Sequence, residues 1–141
     1  MPMKIEHIDA IARKVQRDVL YLEFNPKPTV DADGNKNFVG WQTLPIRQRV
    51  IDWLDSKGIA WRCCGHYANV NVMVGYRGQI YVDAPFEQSN PDFQALTLFL
   101  ENPDGTMRFS DCTFYYCPLD HAMKNAAHDE PGFWERWADG F

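Results

Sequence analysis

The stretch 59–117 most constrains the fold, because β-branched and aromatic residues crowd into it around two legible turns. Gly75-Tyr76-Arg77-Gly78 stands between VNVMV (70–74) and QIYV (79–82), and Asn102-Pro103-Asp104-Gly105 stands between ALTLFL (95–100) and MRFSDCTFYYC (107–117). In Asn-Pro-Asp-Gly the proline fixes φ at about −65° and the glycine accepts a positive φ, as a tight reversal requires. Two hairpins are therefore expected, within a run of antiparallel strands. IAWRCCGHY (59–67) opens the run. Its alternation places Ile59, Trp61, Cys63 and Tyr67 on one face, and Arg62, Cys64 and His66 on the other. Asn90-Pro91-Asp92 is a fair helix start for the residues after it. Leu96 to Leu100 is apolar almost throughout and runs into the turn, so a strand is expected there instead.

Helical patterns flank this run. Ile5, Ile8, Ala12 and Val15 recur at three-to-four spacing and predict a helix over 3–17, with Lys4, Glu6, Asp9, Arg13 and Lys14 left for water. VLYLEF (19–24) reads as a strand ended by Asn25-Pro26. A second helix takes Thr43 as its cap and Pro45 in its first turn, turns Ile46, Val50, Trp53 and Leu54 to the core, and stops at Lys57-Gly58. LDHAMKNAA (119–127) is a further helix, and Pro131 opens a last short one carrying Phe133, Trp134 and Trp137. The pattern predicts one α+β domain over 1–141, an antiparallel sheet of about five to seven hairpin-connected strands with helices packed on one face.

The 141 residues are enough to bury a core without disulfides or metal. Five Trp, six Tyr and nine Phe all need burial or a partner. The net charge of −5 is uneven, about +2 over residues 1–62 and −7 over 63–141. The acidic part repels phosphate backbones and attracts basic partners, so nucleic-acid binding is disfavoured. No signal-peptide pattern or membrane span is present in the sequence; a cytoplasmic location follows as an expectation, with the four cysteines reduced.

The motifs that carry chemistry are few. The oxygen-rich stretch Asp31 to Asn37 resembles a calcium loop only superficially: its Gly34 sits at the fourth place and Gln42 at the twelfth, so a hairpin or loop tip is expected. Cys63, Cys64 and His66, and Cys112, Cys117 and His121, have spacings C-C-x-H and C-x₄-C-x₃-H that match no common zinc knuckle. Adjacent cysteines on a strand point opposite ways. No metal or other cofactor is expected, and Cys64 with His66 is the nearest to a ligand pair. Cys117 lies just ahead of a helix with Asp120 and His121 close behind, an arrangement that would suit an activated thiolate. Asp120 is equally suited to capping that helix. No Gly-rich phosphate loop, G-x-S-x-G or H-E-x-x-H occurs.

The leading expectation is a non-catalytic domain that binds another protein, as an inhibitor-like or neutralising partner of something basic. Its contact residues would be Phe133, Trp134, Arg136 and Trp137 of the aromatic tail, together with Asp83, Glu87 and Asp92. The competing expectation is an enzyme using Cys117 and His121 with Asp120 beside them, or a metal protein in which some of the cysteines and histidines hold the ion. A small-ligand pocket lined by aromatics is a third. The sequence leaves the oligomeric state open.

Overall fold

VLYLEF forms the centre of the sheet as β1, Val19–Phe24, with five of its six residues buried. The structure, a computed structural model, describes residues 5–26, 28–37, 40–69 and 75–140. β1 pairs antiparallel with β5 (Ile80–Val82) on one side and with β6 (Cys112–Cys117) on the other. β4 (Trp61–Cys63) pairs antiparallel with β5, giving the order β4-β5-β1-β6. A separate hairpin joins β2 (Thr29–Val30) to β3 (Lys36–Asn37). Its tip is the Asp-Gly stretch, where Asp31 Oδ1 accepts the Asp33 and Asn35 N–H groups at 2.9 Å.

Both faces of β1 are apolar, and this decides the layering. Leu20, Leu22 and Phe24 pack with Ile80 and Val82 against Val50 and Leu54 of α2 (Pro45–Ser56) and Leu96 and Leu100 of α3 (Pro91–Leu100). Val19 and Tyr21 point the other way. They meet Ile8, Ile11 and Ala12 of α1 (Ile8–Val15), Cys117, and Ala122 of α4 (Leu119–Ala122). The helices therefore cover two faces of the sheet, not one. Each fully buried Leu, Ile or Val adds about 1.5–3 kcal/mol through the apolar surface it removes from water.

The four-stranded sheet also differs from the expected run of hairpins. The segment 95–100 is helical, not a strand. Asn90 caps α3 by accepting the Asp92 and Phe93 N–H groups at 3.0 and 3.1 Å, and Pro91 occupies the first turn, where its missing N–H costs nothing. These local bonds outweigh the β-like composition of Leu96 to Leu100. The Asn-Pro-Asp-Gly reversal does form: Gly105 has φ +87° and the Asn102 N–H donates to Thr106 O at 2.8 Å. It closes an isolated bridge between Glu101 and Met107 at the end of α3. The expected strand 70–74, and with it half of the first hairpin, lies outside the described residues. Strand 59–67 shortens to β4, after which Gly65 bridges in parallel to His7.

At the helix starts, Thr43 does not cap α2: it lies in a 3₁₀ turn (Trp41–Thr43), and Leu44 stands at the N-cap with no side-chain bond. Nor does Asp120 cap α4. The Leu119 N–H donates instead to Asp18 Oδ1 at 2.7 Å. Asp9 and Arg13, expected in water, are buried. Asp9 accepts from Arg13, from the Ala68 N–H and from Asn125, while Arg13 forks onto Asp129 at 2.8 and 2.9 Å and donates to Ala122 O. A buried ion pair persists only when its remaining polar atoms are satisfied in this way. A 3₁₀ segment (Met123–Asp129) and α5 (Phe133–Asp139) complete the described fold.

Candidate functional site

A cavity of about 610 Å³ lies between α3 and β6. Gln94, Thr97 and Leu98 line it from α3, at the spacing that puts them on one side of a helix, and Glu101 at the C-cap adds to the same wall. Phe114 and Tyr116 line it from β6, and Phe86 and Phe93 close one wall. Phe86 lies edge-on to Phe93, with centroids 5.4 Å apart. The rim is unusually apolar for a surface: Leu98 is 73% exposed, Tyr116 50%, Phe86 43% and Tyr115 41%. An apolar depression of this size falls in the range of binding sites. Its polar features are few. Glu101 is its one charged lining residue among the described residues, and exposed Glu87 and Asp92 neighbour Phe86 and Phe93 in sequence. Thr97 Oγ1 is buried without a hydrogen-bond partner among the described residues.

β6 forms an open edge of the sheet. The Asn25 N–H donates to Asp111 O at 2.9 Å, which sets the phase of the β1–β6 ladder. Bonded pairs then fall at Thr113–Glu23, Tyr115–Tyr21 and Cys117–Val19. Phe114 and Tyr116 consequently turn their N–H and C=O groups away from β1, on the side of the groove.

Cys117, Asp120 and His121 do come together. They line one shallow cavity of about 550 Å³ with Tyr21, Tyr67 and Lys124. The chemistry there runs against a thiolate. Burial, then Asp9 and Asp18, push the Cys117 thiol up to about 11, and its Sγ faces Pro118 O at 3.9 Å. The His121 ring stacks on Tyr67 at 4.6 Å. α4 has only four residues, so its dipole gives little help.

The aromatic tail docks on its own chain. Trp134 packs against His7 at 5.3 Å and His128 at 5.0 Å, Phe133 stacks on His128 at 4.4 Å, and Trp134 meets Trp137 edge-on at 5.5 Å. Arg136 reaches Pro131 O at 3.4 Å. Asp83, Glu87 and Asp92 are all exposed, and Asp83 accepts Arg17 at 2.6 Å and the Tyr81 hydroxyl at 3.0 Å.

Cys64 and His66 part company. Cys64 is fully buried, where desolvation raises its thiol, whereas His66 sits at the surface with Nδ1 against Glu23 Oε1. Among the described residues no group of three or more His, Cys, Asp or Glu side chains is placed to hold a metal. Nor is any described helix long and apolar enough to cross a membrane.

Sequence reasoning missed Phe86, Leu98, Tyr115 and Tyr116 as a set. The signal that would have found them was the helix start at Asn90: once 91–100 is wound as a helix, Leu98 turns outward beside β6. Comparison with known proteins finds no family, no curated sequence and no solved structure that matches this chain.

Proposed function

We propose that this chain is a non-catalytic binding domain for another, basic protein, acting as an inhibitor-like or neutralising partner, and that its contact surface is the groove between α3 and β6. The observation that supports this most is the exposed apolar rim of Phe86, Leu98, Tyr115 and Tyr116 around a depression whose one charged lining residue among the described residues is Glu101. Such a patch is rare on a surface with no partner, and aromatic side chains are the usual anchors of an interface. Glu87, Asp92 and Glu101 would select a basic partner and speed its approach. The Cys117 cavity supports an enzyme less well, because its thiol is held protonated at neutral pH.

The test sets wild type beside Leu98→Glu, a change at a site exposed enough to leave folding intact. Both are immobilised and exposed to lysate of the native cell. The expected outcome is a basic protein retained by wild type, released by rising salt and absent from the variant. Equal retention on the two, or retention indifferent to salt, overturns the proposal.

A further inference from the structure

We infer that the partner is held as an added strand of the sheet: an extended segment lying antiparallel along β6, with apolar side chains at alternate positions and Lys or Arg between them. This rests on the groove being the contact surface. Three observations favour it over a side-chain-only contact.

The first is the open edge. Phe114 and Tyr116 present unpaired N–H and C=O groups away from β1, and no backbone hydrogen bond outside the β1 ladder involves residues 113–116 among the described residues. Sheets usually blunt such edges with Lys, Pro, bulges or a covering segment. CTFYYC holds no Lys or Pro and pairs with β1 without a bulge, and no described segment hydrogen-bonds to the backbone of 113–116 on its outer side. The opposite edge is blunted: β4 is three residues long and bears Arg62, and the chain beyond it is tied by Gly65 N–H to Glu6 O and by Ile8 N–H to Gly65 O.

The second is the position of the groove. A strand added at the usual spacing of about 4.8 Å from β6 would lie along it. Every second side chain would then fall on the face shared by Phe114 and Tyr116, over Leu98 and Thr97. Backbone pairing with pockets for alternate side chains is how strand addition joins affinity to selectivity. The third is charge. Glu101 in the groove, with Glu87 and Asp92 beside Phe86 and Phe93, complements a cationic segment and repels an acidic one.

The experiment titrates the full chain, labelled with ¹⁵N and in its methyl groups, with acetyl-Val-Lys-Val-Lys-Val-Lys-amide. Two analogues are run beside it, one N-methylated at every Val and one at every Lys. In antiparallel pairing the groove-facing Val residues turn their N–H toward β6, and the Lys residues turn theirs away. The expected result is slowed solvent exchange at the Phe114 and Tyr116 amides. Binding should weaken by up to about tenfold for each Val N–H removed, and the N-methyl-Lys peptide should bind as well as the parent. Equal binding of all three peptides, with shifts only at the Leu98 methyls and Tyr116 ring, overturns strand addition and leaves the groove as contact surface. No shift in the groove or along β6 with any peptide overturns both. A peptide-free chain that already dimerises with those two amides protected overturns the inference in favour of a second copy.

Discussion

The ring of Phe86 lies flat against that of Tyr116, with centroids 4.4 Å and planes 7° apart. Each ring holds the other in place although both are about half exposed, so the wall of the groove exists before anything binds. Preorganised aromatic surface loses little entropy on association, which makes it a good anchor. Phe86→Ala should therefore weaken partner binding while shifting the urea midpoint only slightly, since Phe86 contributes little to the core. A large stability loss with binding intact would reverse these roles.

Trp53 is tied to α3. Its indole stacks on Phe99 at 4.5 Å with planes 4° apart, joining α2 to α3. Trp53→Ala removes that contact and part of the packing around it. A loss of about 3 kcal/mol is expected, the low end for such truncations because Trp53 is only half-buried. Urea unfolding at unchanged m-value would measure it, and a change under about 1 kcal/mol would show that α2 does not depend on the stack.

How much of this was legible in the sequence depended on where the deciding bond lay. β1, α2 and the Asp-Gly hairpin tip were read from local signals, namely an apolar strand, helical spacing and a turn pair. The α+β class with an antiparallel sheet followed from them. α3 was misread because Leu96 to Leu100 is apolar on nearly every side, one side facing the core and another the groove, so its periodicity was erased. Asp9 and Arg13 looked like solvated charges because their partners, Asp129 and Asn125, are 116 residues away in sequence. The groove itself arises where α3 meets an edge strand, and sheet order is not written in any local pattern.

Arg13 bears on stability through those distant partners. Truncating it leaves Asp9, which is 0% exposed, with only the Ala68 N–H and Asn125 to satisfy a buried charge. Arg13→Ala should cost about 3–5 kcal/mol, more than loss of a surface pair such as Lys14–Glu6. Thermal unfolding of Arg13→Ala beside Lys14→Ala provides the comparison. Similar small losses in both would mean that water reaches Asp9.

The four free thiols should separate by burial. Cys64, Cys112 and Cys117 are buried, with Cys112 pushed up to about 12 and Cys117 to about 11 by desolvation first, whereas Cys63 is partly exposed beside Arg47. Iodoacetamide at neutral pH should therefore label Cys63 in the native protein and the other three only on unfolding. Rapid labelling of Cys117 in the folded chain would reopen the case for a nucleophile, and peptide mass mapping would identify it.

Acid should weaken the fold in two stages. His128 is held below its ordinary value of 6.5, chiefly by burial and in smaller part by Arg13, while Asp9 and Asp129 oppose the shift. Between that ordinary value and the lower folded one, the unfolded chain binds a proton that the folded chain refuses, so acid favours unfolding. The stability is fully present above about pH 6.5 and is lost as pH falls through the folded value of His128. Asp129 adds a later stage. Its hydrogen bonds and ion pair with Arg13 hold it below 3.8, so its contribution stands above that pH and disappears as the carboxylate is protonated. Urea midpoints measured from neutral pH downward should show both losses. His128→Phe, which keeps an aromatic ring against Phe133 and Trp134, should remove the first and leave the second. An unchanged pH profile in that variant would place the first loss on another group.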